Sequence, residues 1–267
     1  MHEVQYCSPT IIPRLQILPE NPPSGQVAFF GWNGFLFLAP AVARAFTLIE
    51  LLVVVSIIGL LAALSLPSIS KALVSAKQTA CASNMRQIGL ALMAYAAEND
   101  FTLPETSHTA SAGKTWIYVL APYLDNVDKI RICPADPKGP ERLAAGGTSY
   151  VLNSFLFVPE TDPFGEVTGG PSNDLLAIAS TSSTMMAFVC SDTTEVSEGN
   201  DHTHSTGWSS WSAVAQDIAP DRFTTSKRSD HSSGSSNYLY ADGHVEKHTA
   251  ASIKARIDSG DNIAIPR

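Results

Sequence analysis

The sequence predicts an α+β protein, in which a long N-terminal helix, first transmembrane and then amphipathic, packs on a head with a small antiparallel β-sheet. Three observations predict this fold. An apolar run occupies residues 46–66, and an apolar stripe with a period near 3.6 follows over 67–98. From residue 99 to residue 267, short apolar runs alternate with stretches rich in Gly, Pro, Ser, Thr and Asp, which is typical of strands and loops.

Residues 1–45 are interpreted as a leader or propeptide. They contain a second apolar stretch, 27–43, which is short for a membrane span and holds Gly and Pro. Ala43-Arg44-Ala45 also fits the small-x-small pattern of a secretory cleavage site, although little positive charge precedes it. A leader, a secretory signal and a misassigned start therefore stay open as alternatives.

Residues 46–66 are predicted to form a transmembrane assembly helix. About 21 residues suffice for a helix to cross the hydrocarbon core of a bilayer. Glu50 is the charged residue of this run, and a carboxylate within a span indicates a function. The amphipathic segment 67–98 is expected to continue the helix into the head and to end near Asn99-Asp100.

The net charge of -8 argues against a nucleic-acid partner, because binding to phosphate groups requires a basic surface. The head shows no Gly-rich phosphate loop and no GxSxG motif, and an abundance of Ser, His and Asp carries no catalytic signal. The sequence therefore predicts a protein that is not an enzyme.

The run from Ala45 to Leu52 resembles the signature of type IV prepilins and type II secretion pseudopilins. In that family a prepilin peptidase cuts before a Phe and methylates the new amine. A Glu stands at the fifth mature position, and a Pro is often found near the twenty-second. With Phe46 as the first residue, Glu50 is the fifth and Pro67 the twenty-second. Two departures are Ala45, where the family has Gly, and a segment before the cut that is longer than usual.

The resemblance implies a pilin-like structural subunit of a type IV pilus or a type II secretion pseudopilus, cut between Ala45 and Phe46. It implies a single pass through the inner membrane, with the head in the periplasm or at the cell surface. The implied partners are the prepilin peptidase and other pilin or pseudopilin subunits. The Phe46 amine is expected to pair with Glu50 of a neighbouring subunit, and Pro67 to bend or locally melt the helix.

The head resembles a processing-associated C-terminal domain whose hallmark is a His followed, after about nine residues, by Asp-Gly. Here ten residues separate His231 from Asp242-Gly243. Cys133-Pro134-Ala135-Asp136 resembles a Cys-Pro-x-Asp segment of the same group, and the segment from Cys81 to Gln87 resembles its helix segment. Asp242-Gly243 between two strand-like runs also predicts a two-residue hairpin turn.

The secondary structure expected in the head is a helix and a few strands separated by loops. The predicted elements are a helix at 114–124, strands at 148–152, 184–189, 237–241 and 244–248, and long loops at 159–174 and 192–210.

The cysteines are not arranged in a CxxC motif, so they do not indicate a zinc ribbon. In an oxidising compartment, a disulfide between Cys81 and Cys133 is predicted, and the alternative is that these two and Cys190 are buried and reduced. No cofactor is expected, and a calcium ion in the loop 190–201 is a weak alternative. Weak candidates for metal ligands are His202, His204, His231, Asp242 and His244.

A second function stays open beside the filament subunit. Trp208 and Trp211 lie in the polar stretch GWSSWS, and their rings could stack on sugars. The alternative is therefore a membrane-anchored surface binding or adhesion protein that has a glycan-binding head and uses the pilin export route.

Overall fold

The computed structural model describes residues 46–111, 113–158 and 173–267, together with the backbone of four short strands at 28–30, 36–38, 160–161 and 167–169. The chain divides into two compact units, Met1–Leu60 and Leu61–Arg267. The observed architecture is α+β, with a long N-terminal helix and a four-stranded antiparallel sheet, as the sequence predicts.

Helix α1 spans Leu48–Glu98, a length of 51 residues. It continues through Pro67, so the local melting expected there is not observed. Proline removes one N–H donor, yet the helix runs unbroken on both sides of it. The helix ends as predicted: Asp100 and Phe101 follow with φ of +53° and +60°, which a right-handed helix does not allow.

The other elements are short. The helices are α2 (Trp116–Val119), α3 (Gly139–Ala144), α4 (Ser154–Phe157), α5 (Trp211–Asp217) and α6 (Ala250–Asp258). The strands are β1 (Ala28–Phe30), β2 (Leu36–Leu38), β3 (Tyr150–Leu152), β4 (Glu160–Thr161), β5 (Val167–Gly169), β6 (Met185–Val189), β7 (Ser235–Tyr240) and β8 (Val245–Thr249). The main sheet has the order β3-β6-β7-β8, and β1-β2 and β4-β5 form two separate antiparallel pairs.

The predicted helix at 114–124 is divided in two. Helix α2 stops at Val119, and a 3₁₀-helix with a proline in its first turn follows over Ala121–Leu124. Pro122 lacks the N–H that would continue an α-helix, and its ring fits the start of a new turn instead. The four predicted strands are all observed, with bounds that differ by one or two residues.

Strands β3, β6 and β7 of the main sheet are buried, whereas the edge strand β8 is partly to fully exposed. On one face, Leu152, Met186 and Leu239 belong to the same apolar cluster as Met85 and Leu92 of α1. On the other face, strand residues share a second cluster with helices that the sequence analysis did not predict; its members include Val151, Phe188, Tyr238, Val214, Ile253 and Ile257. The head is therefore a three-layer structure, with the sheet between α1 and the pair α5 and α6.

The head covers only the C-terminal part of α1. Ile69 and Leu73, which the stripe assigns to the head-facing side, are 61% and 56% exposed. The buried positions of α1 are Cys81, Met85, Ile88, Gly89, Ala91, Leu92 and Ala96. Helical periodicity thus identified the contact face correctly from residue 81 onward, but it did not show how far back along the helix the head extends.

Candidate functional site

The first turn of α1 carries a reciprocal hydrogen-bonded pair. The Thr47 carbonyl accepts the first helical bond from the Leu51 N–H, so Thr47 is the N-cap residue. The Glu50 N–H donates to Thr47 Oγ1 at 3.3 Å, and the Thr47 N–H donates to Glu50 Oε2 at 2.9 Å. Thr47 Oγ1 also donates to Glu50 Oε2 at 2.8 Å. Thr47 and Glu50 therefore form a capping box, which the sequence analysis overlooked although Thr-x-x-Glu is its pattern.

The capping box gives Glu50 a partner in its own chain. Phe46 directly precedes Thr47, and the Glu50 carboxylate already accepts a hydrogen bond from the Thr47 N–H. An amine generated at Phe46 would therefore lie one residue before that N–H. Ala45, the residue before the predicted cut, lies outside the described residues. The predicted pairing of Glu50 with a neighbouring subunit stays a prediction, and it competes with this intrachain contact.

The apolar part of α1 is exposed along its whole length. Among the described residues, α1 is the one helix long and apolar enough to cross a membrane. Large side chains lie open from Phe46, which precedes the helix and is 74% exposed, to Leu66, which is 64% exposed. The Ser56 hydroxyl donates to the Leu52 carbonyl at 2.7 Å, so this polar group is satisfied within the helix. An exposed apolar helix of this kind suits lipid or the helices of other subunits.

The Asp-Gly motif of the head forms the β7–β8 turn. The Gly243 N–H donates to the Tyr240 carbonyl and the Tyr240 N–H donates to the His244 carbonyl, both at 2.9 Å. Gly243 has φ of +84°. The loop thus has three residues, Ala241 to Gly243, with only the last in the left-handed region, and differs from the predicted two-residue turn. Asp242 instead accepts from the His244 N–H at 3.1 Å, which favours the turn without requiring positive φ at Asp242.

This turn lies against α1. A Cβ added to Gly89 would come within 3.4 Å of Gly243 Cα and within 2.7 Å of Leu239 Cδ1. Gly89 therefore permits close packing between the helix and the hairpin. The Asp-Gly motif has a structural role here, because it shapes the turn that meets the helix.

Gly243→Ala is expected to lower the free energy of unfolding by about 1–2 kcal/mol, because an L side chain is strained at this φ. Gly243→Asn should cost less, since Asn tolerates the left-handed region. The matched control is Gly207→Ala, where φ is not positive and the added Cβ meets no atom within 4 Å. Urea unfolding of the three full-length variants in detergent measures the difference, and equal midpoints for the two Ala variants would contradict the strain argument.

His231, the other end of the motif, does not meet Asp242 in any described contact. Its backbone has φ of +53°, and its Nδ1 lies 3.0 Å from Oδ2 of Asp221, a carboxylate that is 1% exposed. The His231 ring thus ties the loop before β7 to a buried acid. Sequence spacing could not identify Asp221, because the contact depends on the fold of the loop between them.

The remaining metal candidates are also paired with acids. His202 Nδ1 lies 2.8 Å from Asp201 Oδ1, and His244 Nδ1 lies 2.5 Å from Asp242 Oδ1. The His204 N–H donates to Asp217 Oδ2 at 2.6 Å. Within the described ranges, no group of three or more His, Cys, Asp or Glu residues is arranged to hold a metal ion. The rings of His202 and His244 thus each lie against an aspartate close in sequence, and His204 contacts Asp217 through its backbone.

Trp208 is unsuited to stacking on a sugar. It is 4% exposed, packs edge-on against Phe188 at a centroid distance of 5.3 Å, and donates from Nε1 to Asp217 at 2.9 Å. Trp211 is partly exposed, and Lys254 lies over its ring at 5.9 Å. The paired aromatic platform required by the adhesion alternative is therefore absent from this stretch.

Asp136, in the Cys-Pro-x-Asp segment, is the centre of a buried polar network. Its Oδ2 accepts from Arg142 Nε at 3.0 Å and from Ser149 Oγ at 2.6 Å, and its Oδ1 accepts from the Lys138 N–H at 2.9 Å. The side chains of Asp136 and Arg142 are 0% and 1% exposed. Arg142 also donates to the Ser191 carbonyl at 3.1 Å. The segment thus fixes the loop beneath β3 through a buried ion pair.

Comparison with known proteins identifies the N-terminal part of the chain. Residues 41–66 match the family model described as the prokaryotic N-terminal methylation motif. No curated protein and no solved structure shows a significant match to the chain.

The motif and the long apolar helix together support a type IV pilin-like protein that is anchored in a membrane, with α1 as the candidate span among the described residues. The motif implies processing by a prepilin peptidase and assembly with other pilin subunits, and it suggests a structural subunit rather than an enzyme. The match does not reach the head, where the similarity to a processing-associated domain stays a prediction.

Proposed function

We propose that this chain is a pilin-like structural subunit of a type IV pilus or a type II secretion pseudopilus. A prepilin peptidase cuts between Ala45 and Phe46 and methylates the new amine, and the mature chain polymerises through α1. The observation that carries the proposal is an exposed apolar helix that begins two residues after the expected cut. The match to the methylation motif over 41–66 supports it.

The physical argument for polymerisation is the cost of leaving α1 uncovered. Residues 46–66 expose large apolar side chains, with Phe46 74% and Leu66 64% exposed. Lipid covers such a surface before assembly, and the helices of other subunits cover it in a filament. The capped first turn satisfies two of the N–H groups at the start of the helix, those of Thr47 and Glu50, which lowers the cost of beginning the helix near lipid.

The processing step is tested by mass spectrometry of the chain expressed with and without a prepilin peptidase. The expected product begins at Phe46 and carries one methyl group on its amine. Ala45→Gly should be cut at least as fast, because Gly is the residue that the family has before the cut. A chain that keeps its N-terminus in the presence of the peptidase would contradict the proposal.

A second variant separates this route from ordinary secretion. Ala43→Leu places a large side chain at the first small position of the Ala43-Arg44-Ala45 pattern and should block a signal peptidase. It should leave cleavage by the prepilin peptidase unchanged. An unmethylated Phe46 whose formation is abolished by Ala43→Leu would assign the cut to a signal peptidase and overturn the proposed processing.

A further inference from the structure

Two buried cysteines from distant parts of the chain meet beneath the sheet. Cys81 lies on the head-facing side of α1 and is 0% exposed, and Cys133 begins the Cys-Pro-x-Asp segment and is 1% exposed. Both side chains belong to the same buried cluster of the core, and each thiol influences the pKa of the other. The backbone next to Cys133 is already held to the helix, because Asn84 Nδ2 donates to the Ile132 carbonyl at 3.0 Å.

Cys81 and Cys133 are reduced in the structure, where all three described cysteines are free. We propose that in the exported protein they form a disulfide that clamps α1 to the head. The proposal rests on the proposed function, since export of the head past the inner membrane supplies the oxidising compartment. The bridge would close a loop of about 50 residues.

In the folded head, the surroundings of the pair favour deprotonation of the Cys81 thiol. The Tyr150 hydroxyl donates to Cys81 Sγ at 3.5 Å. Burial opposes a thiolate at Cys81, but hydrogen bonds from Cys133, Tyr150 and Asn237 outweigh it and lower the pKa of this thiol. Burial raises the pKa of Cys133 well above its usual range. In the folded head Cys81 is therefore the more readily deprotonated member of the pair, whereas before these contacts form the thiolate of either cysteine can attack first.

The oxidant is a disulfide-bearing thiol oxidoreductase that meets the chain before the head closes, because neither thiol is accessible afterwards. With Cys81 as the first to react, its thiolate attacks one sulfur of the oxidoreductase disulfide, forming a mixed disulfide and releasing a thiolate that takes up a proton. The deprotonated Cys133 sulfur then attacks Cys81 Sγ and expels the second enzyme thiolate; the order Cys133 and then Cys81 gives the same product. The chain loses two electrons and two protons, and the oxidoreductase disulfide gains them.

Cys190 does not belong to this pair. Its thiol lies 4.0 Å from Asp136 Oδ2 and 3.9 Å from the Thr148 carbonyl, and burial raises its pKa to about 11. It supplies the matched control, as a cysteine that is equally buried but lacks a thiol partner in these contacts.

In a filament, the proposed bridge would have a mechanical consequence. Force transmitted along α1 enters the head where the helix is buried, and Cys81 is the first fully buried residue of that contact. A covalent bond at this point would keep the helix from separating from the sheet under load.

The test uses the full chain isolated from membranes, with mature N-methylated Phe46 verified first. The protein is unfolded without reductant and its thiols are alkylated. We expect one alkylated cysteine, Cys190, and a linked peptide pair containing Cys81 and Cys133. Three alkylated cysteines in correctly processed protein would overturn the bridge while leaving the proposed function intact. A chain that is not processed would instead count against the proposed function.

Thermal unfolding gives a second readout. Reduction should lower the Tm of the wild-type chain by about 10 °C. Cys81→Ala, Cys133→Ala and the double variant should no longer respond to reductant, whereas Cys190→Ala should keep the full response. A wild-type Tm that is unchanged by reductant would overturn the proposal even if the cysteine variants fold poorly.

Discussion

Asp136→Ala is expected to lower the free energy of unfolding of the head by about 3–5 kcal/mol, because it leaves the Arg142 guanidinium buried without its counter-charge. Arg142 is fully buried and cannot turn to solvent. Ser149 Oγ and the Lys138 N–H would lose an acceptor at the same time. A loss of this size is a large part of the stability of an ordinary domain, which is about 5–15 kcal/mol.

The matched control is another Arg–Asp pair of the same head. Asp128 lies 3.7 Å from Arg131, but its side chain is 68% exposed. Asp128→Ala should therefore cost less than about 1 kcal/mol. Urea unfolding of the full chain in detergent, followed by the fluorescence of the buried Trp116, compares the two variants. Similar losses for both would contradict the assignment of Asp136 as a stabilising centre.

A double variant separates the buried charge from the packing. Asp136→Leu combined with Arg142→Met removes both charges and keeps apolar volume, so it should recover part of the stability that Asp136→Ala loses. Failure to recover any stability would indicate that the hydrogen bonds from Arg142 to Ser191 and Glu195 carbonyls matter more than the ion pair.

Local patterns predicted the elements of this protein well. The α1 helix is long, apolar and then periodic, and its end is marked by Asn99-Asp100, so its bounds follow from residues close together in sequence. Helix α6 was within reach of the same reasoning. Ala250, Ile253 and Ile257 are spaced for one helix face and are buried, and Thr249 Oγ1 accepts from the Ser252 N–H at 3.2 Å as its cap.

The polar pairs of the head could not be predicted in this way. Asp221 holds His231, and Asp217 accepts from Trp208 and from the His204 backbone, and these partners depend on how loops fold back on the sheet. Residue type restricts such pairs only weakly, because the head is rich in Asp, Ser and His. The order of the strands in the sheet was likewise not predicted. Strand β6 pairs with β3, and more than 30 residues of chain separate these two strands, so no short turn signals their pairing.

Glu50→Ala is expected to abolish filament assembly while leaving the head folded. Under the proposed function, the positive Phe46 amine enters an apolar environment and needs a counter-charge. Loss of a buried partner costs about 3–5 kcal/mol, which corresponds to a decrease of more than about a hundredfold in subunit affinity. The yield of sheared filaments measures assembly, and urea unfolding checks the head.

The structure adds a competing explanation, because Glu50 also caps α1 through Thr47. Glu50→Gln separates the two roles: Gln serves in a capping box as Glu does, but it carries no charge. Thr47→Ala makes the opposite change, since it removes the N-cap side chain, at a cost of about 1 kcal/mol, and keeps the carboxylate.

If the charge of Glu50 is what assembly requires, Glu50→Gln should fail as completely as Glu50→Ala, and Thr47→Ala should retain most of the filament yield. The opposite result, with Glu50→Gln assembling and Thr47→Ala failing, would assign Glu50 to the helix cap and remove the amine pairing from the mechanism. Mass spectrometry of each variant must show mature Phe46 first, because an uncut chain has no amine at that position for Glu50 to meet.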